Sequence, residues 1–200
     1  MIYIYGSGGR GKLIKELLIR LGNAKKEIMF VDDKKKKFKR TNYLIKRFNR
    51  KKDQLFIGIA DPKLQIKKYF YFKKKLKNID NHALIDPRAV LKSNNKIGKN
   101  VIILENTSIG PNVVIMKNVF IGSRSIINHD CKIGSFSTIG HGTNLAGSVK
   151  INNNCVLGIS TTIKQNINVG SNVIIGSASN VIKNCLPNSK YVGNPCRKIS

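Results

Sequence analysis

From Ile85 onward the chain repeats itself every six residues. An aliphatic side chain stands at Ile85, Leu91, Ile97, Ile103 and Ile109, and the same step continues without a miss to Val181, seventeen positions in all. A period of six is neither the 3.6 of a helix face nor the alternation of a long strand; it marks a short strand-and-turn unit stacked on copies of itself as a solenoid. Four places after each aliphatic stands a small or β-branched residue in nearly every hexad, among them Val101, Thr107, Val113, Val119, Ser125, Cys131, Ser137, Thr143, Val149, Cys155 and Thr161. Side chains alternate along a strand, so both positions point inward only if the chain turns a corner between them. Glycine often follows the aliphatic directly, as at Gly98, Gly110, Gly134 and Gly158, where tolerance of a tight turn is expected.

Residues 1–80 have a different rhythm. IYIY (2–5) reads as a short apolar strand, GSGGRG (6–11) as a glycine turn, KLIKELLIRLG (12–22) as an amphipathic helix ending at Gly22, and EIMFVDD (27–33) as a second strand. The turn fits G-x-G-x-x-G with Gly6, Gly8 and Gly11, and it lies between a strand and a helix, as binding of a nucleotide's phosphates requires. Asp32 and Asp33 follow the second strand, where a ribose hydroxyl would be held. A third strand, QLFIGIA (54–60), precedes a further helix in DPKLQIKKYFYFKKKLK.

Composition changes this picture little. Four cysteines without a CxxC argue against a zinc site or a disulfide framework, and Cys131, Cys155 and Cys185 fall on the small inward position, as filler. No apolar run is long enough for a membrane span and no signal peptide is evident, so a soluble, cytoplasmic chain is expected. The net charge of +27 is uneven: residues 1–96 carry 27 Lys+Arg against 8 Asp+Glu, and residues 97–200 carry 10 against 2. The runs KKKKFKR (34–40), KRFNRKK (46–52) and KKYFYFKKKLK (67–77) read as lysine filling exposed positions, on a surface that favours anionic small molecules. The repeat has no aromatic stacking platform and no helix-turn-helix pattern, which argues against a specific nucleic-acid binder.

The candidate chemistry lies in IINHDCKIGSFSTIGHG (126–142). His129 comes two positions after Ile127, in the outward half of its hexad, so it is not a core residue. Beside it, Asp130 can fix the tautomer while the imidazole takes a proton as a general base. His141 also lies two positions after its aliphatic, but twelve residues on, and so on a different face. His82 is assigned no chemistry.

Taken together, the hexads, the dipeptide in NHDC, the closing YVGNPCRKI (191–199) and the opening IYIYGSGGRG resemble the bacterial hexapeptide-repeat sugar acetyltransferases. These act on nucleotide-linked amino sugars and include sialic-acid O-acetyltransferase relatives. The resemblance implies a Rossmann-like, nucleotide-sugar-binding domain over residues 1–80, then a left-handed parallel β-helix over residues 81–200 that uses acetyl-CoA and assembles as a homotrimer. It implies His129 and Asp130 as the catalytic pair, without a metal. By the same resemblance Gly8, Gly9, Arg10, Gly11, Asp32, Asp33, Ile59 and Ala60 meet the nucleotide sugar, and Thr138, Gly147, Ile159 and Gly176 meet acetyl-CoA. Two positions depart from the pattern: Thr138 stands where relatives often carry a histidine near the thioester, which His141 could replace, and Arg10 stands where the glycine turn usually has His. O-acetylation of sialic acid or another free sugar is the alternative reading. A γ-type carbonic anhydrase needs three converging histidines, and the repeat has two on different faces.

Overall fold

A computed structural model describes residues 1–200, and the chain divides into two compact units, Met1–Asn81 and His82–Ser200. In the first, three parallel strands, β1 (Ile2–Tyr5), β2 (Ile28–Val31) and β3 (Gln54–Ile57), lie in the order β2-β1-β3. All four residues of β1 are buried, as the central strand of a covered parallel sheet requires. Helix α1 (Gly9–Arg20) packs against the sheet through Ile14, Leu17 and Leu18. It starts three residues earlier than the apolar pattern suggests, inside the glycine turn. A short helix that the pattern does not announce, α2 (Thr41–Arg47), stands among the basic runs. Helix α3 (Pro62–Leu76) starts with Asp61 as its cap, accepting the Leu64 N–H at 2.7 Å, and Pro62 at its first position. It buries Gln65, Tyr69, Phe72 and Leu76.

The glycines of the first turn have separate jobs. Gly6 has φ +100°, a conformation that L side chains rarely adopt. A Cβ on Gly11 would fall on the carbonyl oxygen of Gly6, and one on Gly58 would stand 2.7 Å from the Gly11 Cα. The start of α1 therefore lies directly on the ends of β1 and β3. Gly8 and Gly9 face open space, with nothing within 4 Å of a built Cβ.

The second unit is a β-solenoid of seventeen two-residue strands, beginning with β4 (Leu84–Ile85), β5 (Val90–Leu91) and β6 (Lys96–Ile97) and ending with β20 (Asn180–Val181). Each strand pairs in parallel with those eighteen residues away, as Ile127 does with Ile109 and Leu145, so the strands form three sheets around one core. The second residue of each strand is the inward aliphatic, and Val101, Thr107, Ser125, Cys131, Thr143, Cys155 and Thr161 fill the corners, all at most 1% exposed. Burial raises the Cys131 and Cys155 thiols to about 11 and Cys185 to about 12, so these side chains stay protonated and inert. The chain closes with an antiparallel hairpin of β21 (Lys190–Val192) and β22 (Arg197–Lys198).

The corner itself corrects the expected turn chemistry. The left-handed residue comes three places after the aliphatic, with φ from +55° to +65°, at Asn94, Asn100, Asn106, Asn112, Asn118, Asp130, Asn154 and Asn166 among others. Asn and Asp are the L residues that visit this region most readily, so the chain's wealth of Asn serves its corners. The glycine directly after the aliphatic answers a different constraint: on Gly110 a Cβ would stand 2.7 Å from the His129 nitrogen, and on Gly134 2.5 Å from the Asn152 carbonyl carbon. Neighbouring coils are too close there for any side chain.

Candidate functional site

In the first unit, Gly8, Gly9, Arg10, Asp32, Asp33, Ile59 and Ala60 line one cavity of about 400 Å³. Gly11 does not line it; it packs beneath. Helix α1 starts at the cavity with Gly8 as its cap and neither a capping side chain nor an acid in its first turn, which leaves its first N–H groups for an anion. Lys34, Lys35 and Lys68 line the same cavity. Arg10 lies mostly buried in the cavity wall and donates to the Ile59 carbonyl at 3.0 Å; burial lowers its pKa to about 10, so it stays charged at neutral pH.

The two aspartates differ in what they hold together. Asp33 accepts from the Thr41 N–H at 2.8 Å, the Thr41 hydroxyl at 2.7 Å and the Tyr5 hydroxyl at 2.7 Å, and Lys68 Nζ lies 3.5 Å away. Burial pushes its pKa up, but these donors outweigh that and hold it at about 2. Asp32 accepts from the Ser7 hydroxyl at 2.6 Å, the Ser7 N–H at 3.0 Å and the Lys34 N–H at 3.0 Å. In both residues Oδ2 takes the larger share of these bonds and Oδ1 accepts a single N–H, so each Oδ1 keeps a lone pair. Asp33 joins β1, the start of α2 and α3, whereas Asp32 clamps the glycine turn. The glycine fingerprint contains Ser7 without assigning it a role, and no motif marks Thr41 or Lys68, which lie 8 and 35 residues along the chain from Asp33.

In the second unit, the strand Ile126–Ile127 places His129 at a corner with its side chain 57% exposed. Its Nδ1 lies 2.8 Å from Asp130 Oδ2, and Asn112, one coil earlier, donates to Asp130 Oδ1 at 3.2 Å. A carboxylate only accepts, so Nδ1 carries the proton and the neutral ring keeps its lone pair on Nε2. The His129 bond, and then the Asn112 bond, lower the Asp130 pKa. Gly147, one coil later, forms the floor: a Cβ there would stand 2.5 Å from both Nε2 and Cε1 of His129. The imidazole lies where any other residue at 147 would put its side chain.

His141 has the same register at the next kind of corner and different neighbours. Its Nδ1 accepts from the Ser123 N–H at 3.1 Å, with the Ser123 hydroxyl at 2.8 Å. An N–H only donates, so here the ring proton is on Nε2. Ile159 follows one coil later, 55% exposed; Thr138 lies on the sheet that ends at this corner, and Gly176 directly follows another strand of that sheet. Of the four positions expected to meet acetyl-CoA, three therefore stand on the His141 side of the prism and only Gly147 beside His129. Asn112 and Ser123 carry no motif of their own, although each lies eighteen residues before the group it touches. No group of three His, Cys, Asp or Glu side chains is placed to hold a metal ion, and no helix is long and apolar enough to cross a membrane.

Both units find counterparts among known proteins. Residues 1–72 match the PglD N-terminal domain, and residues 112–147 match the bacterial transferase hexapeptide of six repeats. The chain shares its fold with the acetyltransferase domain of PglB from Neisseria gonorrhoeae, solved with acetyl coenzyme A, over 99% of this chain and 98% of that one (TM-score 0.90, 22% identity). PerB from Caulobacter crescentus, solved with CoA and GDP-perosamine, matches over 100% of this chain and 97% of that one (TM-score 0.88, 20% identity). WeeI from Acinetobacter baumannii AYE matches over 100% and 99% (TM-score 0.66, 22% identity). The chain finds no match among curated protein sequences.

Proposed function

We propose that this protein transfers an acetyl group from acetyl-CoA to an amino group of a nucleotide-linked sugar, with His129 as general base. The observation that carries the reading is the His129 corner: an exposed imidazole held by a carboxylate at Nδ1, with its Nε2 lone pair presented over the bare backbone of Gly147. In the step proposed, Nε2 takes a proton from the amine as its nitrogen attacks the thioester carbonyl. The C–N bond forms, the C–S bond breaks, and the imidazolium returns the proton to the departing CoA thiolate. Asp130 favours the imidazolium throughout, and main-chain N–H groups at the Gly147 corner are suited to the oxyanion.

The substrate class is supported by the first unit, whose cavity joins an uncapped helix start to Arg10, Lys34, Lys35 and Lys68. That combination suits a diphosphate, and Asp32, with its spare lone pair, suits a ribose hydroxyl. The structural relatives solved with acetyl-CoA, and with CoA and GDP-perosamine, support both ligands. Assembly as a homotrimer in the cytoplasm belongs to the same reading. Thr138, Ile159 and Gly176 stand across the prism from His129, so apposing a second chain is the direct way for one acetyl-CoA to meet both sets.

The test is a thermal-shift screen of nucleotide sugars with and without acetyl-CoA, since a ligand of the folded state raises the melting temperature by mass action. Stabilisation by a nucleotide amino sugar, and acetylation of it, is the expected result. Acetylation of a free sugar hydroxyl without any effect of nucleotides would replace this reading with the O-acetyltransferase one. Asp32→Asn should weaken nucleotide-sugar affinity, whereas Asp33→Asn should lower the melting temperature of the unliganded protein.

A further inference from the structure

The charge of the first unit has a focus that lysine-rich composition does not explain. Residues 1–81 carry 24 Lys+Arg against 7 Asp+Glu. Helix α3, PKLQIKKYFYFKKKL, holds six lysines and no acid. Two of the six are engaged, Lys73 by Asp80 at 2.7 Å and Lys68 by Asp33 at 3.5 Å. The other four, Lys63, Lys67, Lys74 and Lys75, point away from the core. At 100° per residue they share an arc of about 140° with Phe70 and Tyr71, opposite the buried face of Gln65, Tyr69, Phe72 and Leu76. Phe70 is 54% exposed and Tyr71 39%. A bias toward lysine fills an outer face with lysine, but it does not set two aromatic rings among the lysines, facing water.

We infer that this outer face of α3 docks on an anionic phospholipid surface. A helix lying in the interface plane needs apolar rings to enter the headgroup boundary and lysines around them to meet lipid phosphates, and α3 has both on one arc. The lysine stems are long enough to keep their ammonium groups at headgroup level while the rings go deeper. A nucleic acid would meet the same charges, but a convex helix face gives no groove to follow a phosphodiester strand, and a planar bilayer needs none. The inference does not depend on the acetyltransfer reading, because no residue it uses lines the cavity or the His129 corner.

The chain holds no tryptophan, so Phe70→Trp makes the face its own reporter in the full-length protein. With vesicles of phosphatidylcholine containing phosphatidylglycerol, the indole emission of that variant should shift to the blue and be quenched by brominated acyl chains. With pure phosphatidylcholine it should not. In co-sedimentation on the same vesicles, Lys67→Glu with Lys74→Glu should weaken partitioning by roughly fivefold or more for each lysine. Phe70→Ser with Tyr71→Ser should weaken it about tenfold, with the far-UV spectrum and nucleotide-sugar acetylation unchanged. Three results would overturn the inference: unshifted indole emission on anionic vesicles, partitioning that survives loss of both rings and so reflects bulk charge alone, or retention on single-stranded RNA in place of vesicles.

Discussion

Two corners of the solenoid carry a histidine at the same register, two residues past an inward aliphatic, and give it opposite chemistry. At one corner His129 Nδ1 faces the Asp130 carboxylate, so the ring offers a lone pair at Nε2. At the other, His141 Nδ1 accepts the Ser123 N–H, so the ring offers a proton at Nε2. One coil later comes Gly147 in the first case, leaving the ring room, and Ile159 in the second. The backbone is the same at both; the difference lies in one neighbour within the hexad and two eighteen residues away. A repeat supplies equivalent places, and the neighbouring residues decide whether the ring at each offers a lone pair or a proton at Nε2.

The comparison is most directly broken by removing each ring. His129→Ala should lower kcat about 10²–10⁴-fold, the usual worth of a positioned general base, with little change in folding because the side chain lies outside the core. Raising the pH should recover part of the loss as the amine deprotonates unaided. His141→Ala should leave kcat nearly intact and act on KM for acetyl-CoA, since a ring that offers a proton at Nε2 accepts none there. Steady-state rates of the two variants on one nucleotide amino sugar decide it; the reverse order would move the base to the other corner.

Gly147→Ala should come next. The added methyl would occupy space held by Nε2 and Cε1, so the ring must swing, and a displacement near 1 Å costs on the order of 10²-fold in rate. The Gly147 φ is not in the left-handed region, so the variant should fold and melt as the parent does. At the other corner the same one-coil offset reaches Ile159, where Ile159→Ala should raise KM for acetyl-CoA and spare kcat. A Gly147→Ala enzyme with full kcat would mean that the imidazole does not act from this position.

The two units differ in how far their sequence discloses them. In the solenoid every coil meets the same constraint, so the inward aliphatics and the filler at Cys131 and Cys155 follow directly from the period. What the period hides is why each corner residue is there. Glycine after the aliphatic suggests a tight turn, yet the left-handed residue is two places further on, and Gly110 and Gly134 are small because the next coil is against them. In the first unit, the fingerprint discloses the cavity's floor but not its walls. Helix α2 buries only Thr41 and Leu44, too few apolar contacts to stand out between two basic runs. Asp33 reads as a ribose ligand, and only the fold shows that its carboxylate also ties Tyr5, Thr41 and Lys68 together.

The smallest effects separate orientation from charge at the two corners. Asp130 sits at φ +60°, and Asn112 and Asn166, one coil earlier and two coils later, hold the same conformation at +59° and +60°. Asp130→Asn should therefore keep the corner and the fold, so any change belongs to electrostatics. The amide oxygen can still accept the Nδ1 proton and preserve the tautomer, but it cannot balance the imidazolium that forms when the amine is deprotonated. A loss of about tenfold in kcat is expected, below that of removing the base itself. Ser123→Ala is the matching change beside His141: the hydroxyl goes, but the main-chain N–H that sets the tautomer remains. The rate should stay within about twofold, and the imidazole nitrogen resonances of His141 should still report the proton on Nε2. If Ser123→Ala slowed the reaction as much as Asp130→Asn, the two corners would share the proton transfer and the contrast between them would fail.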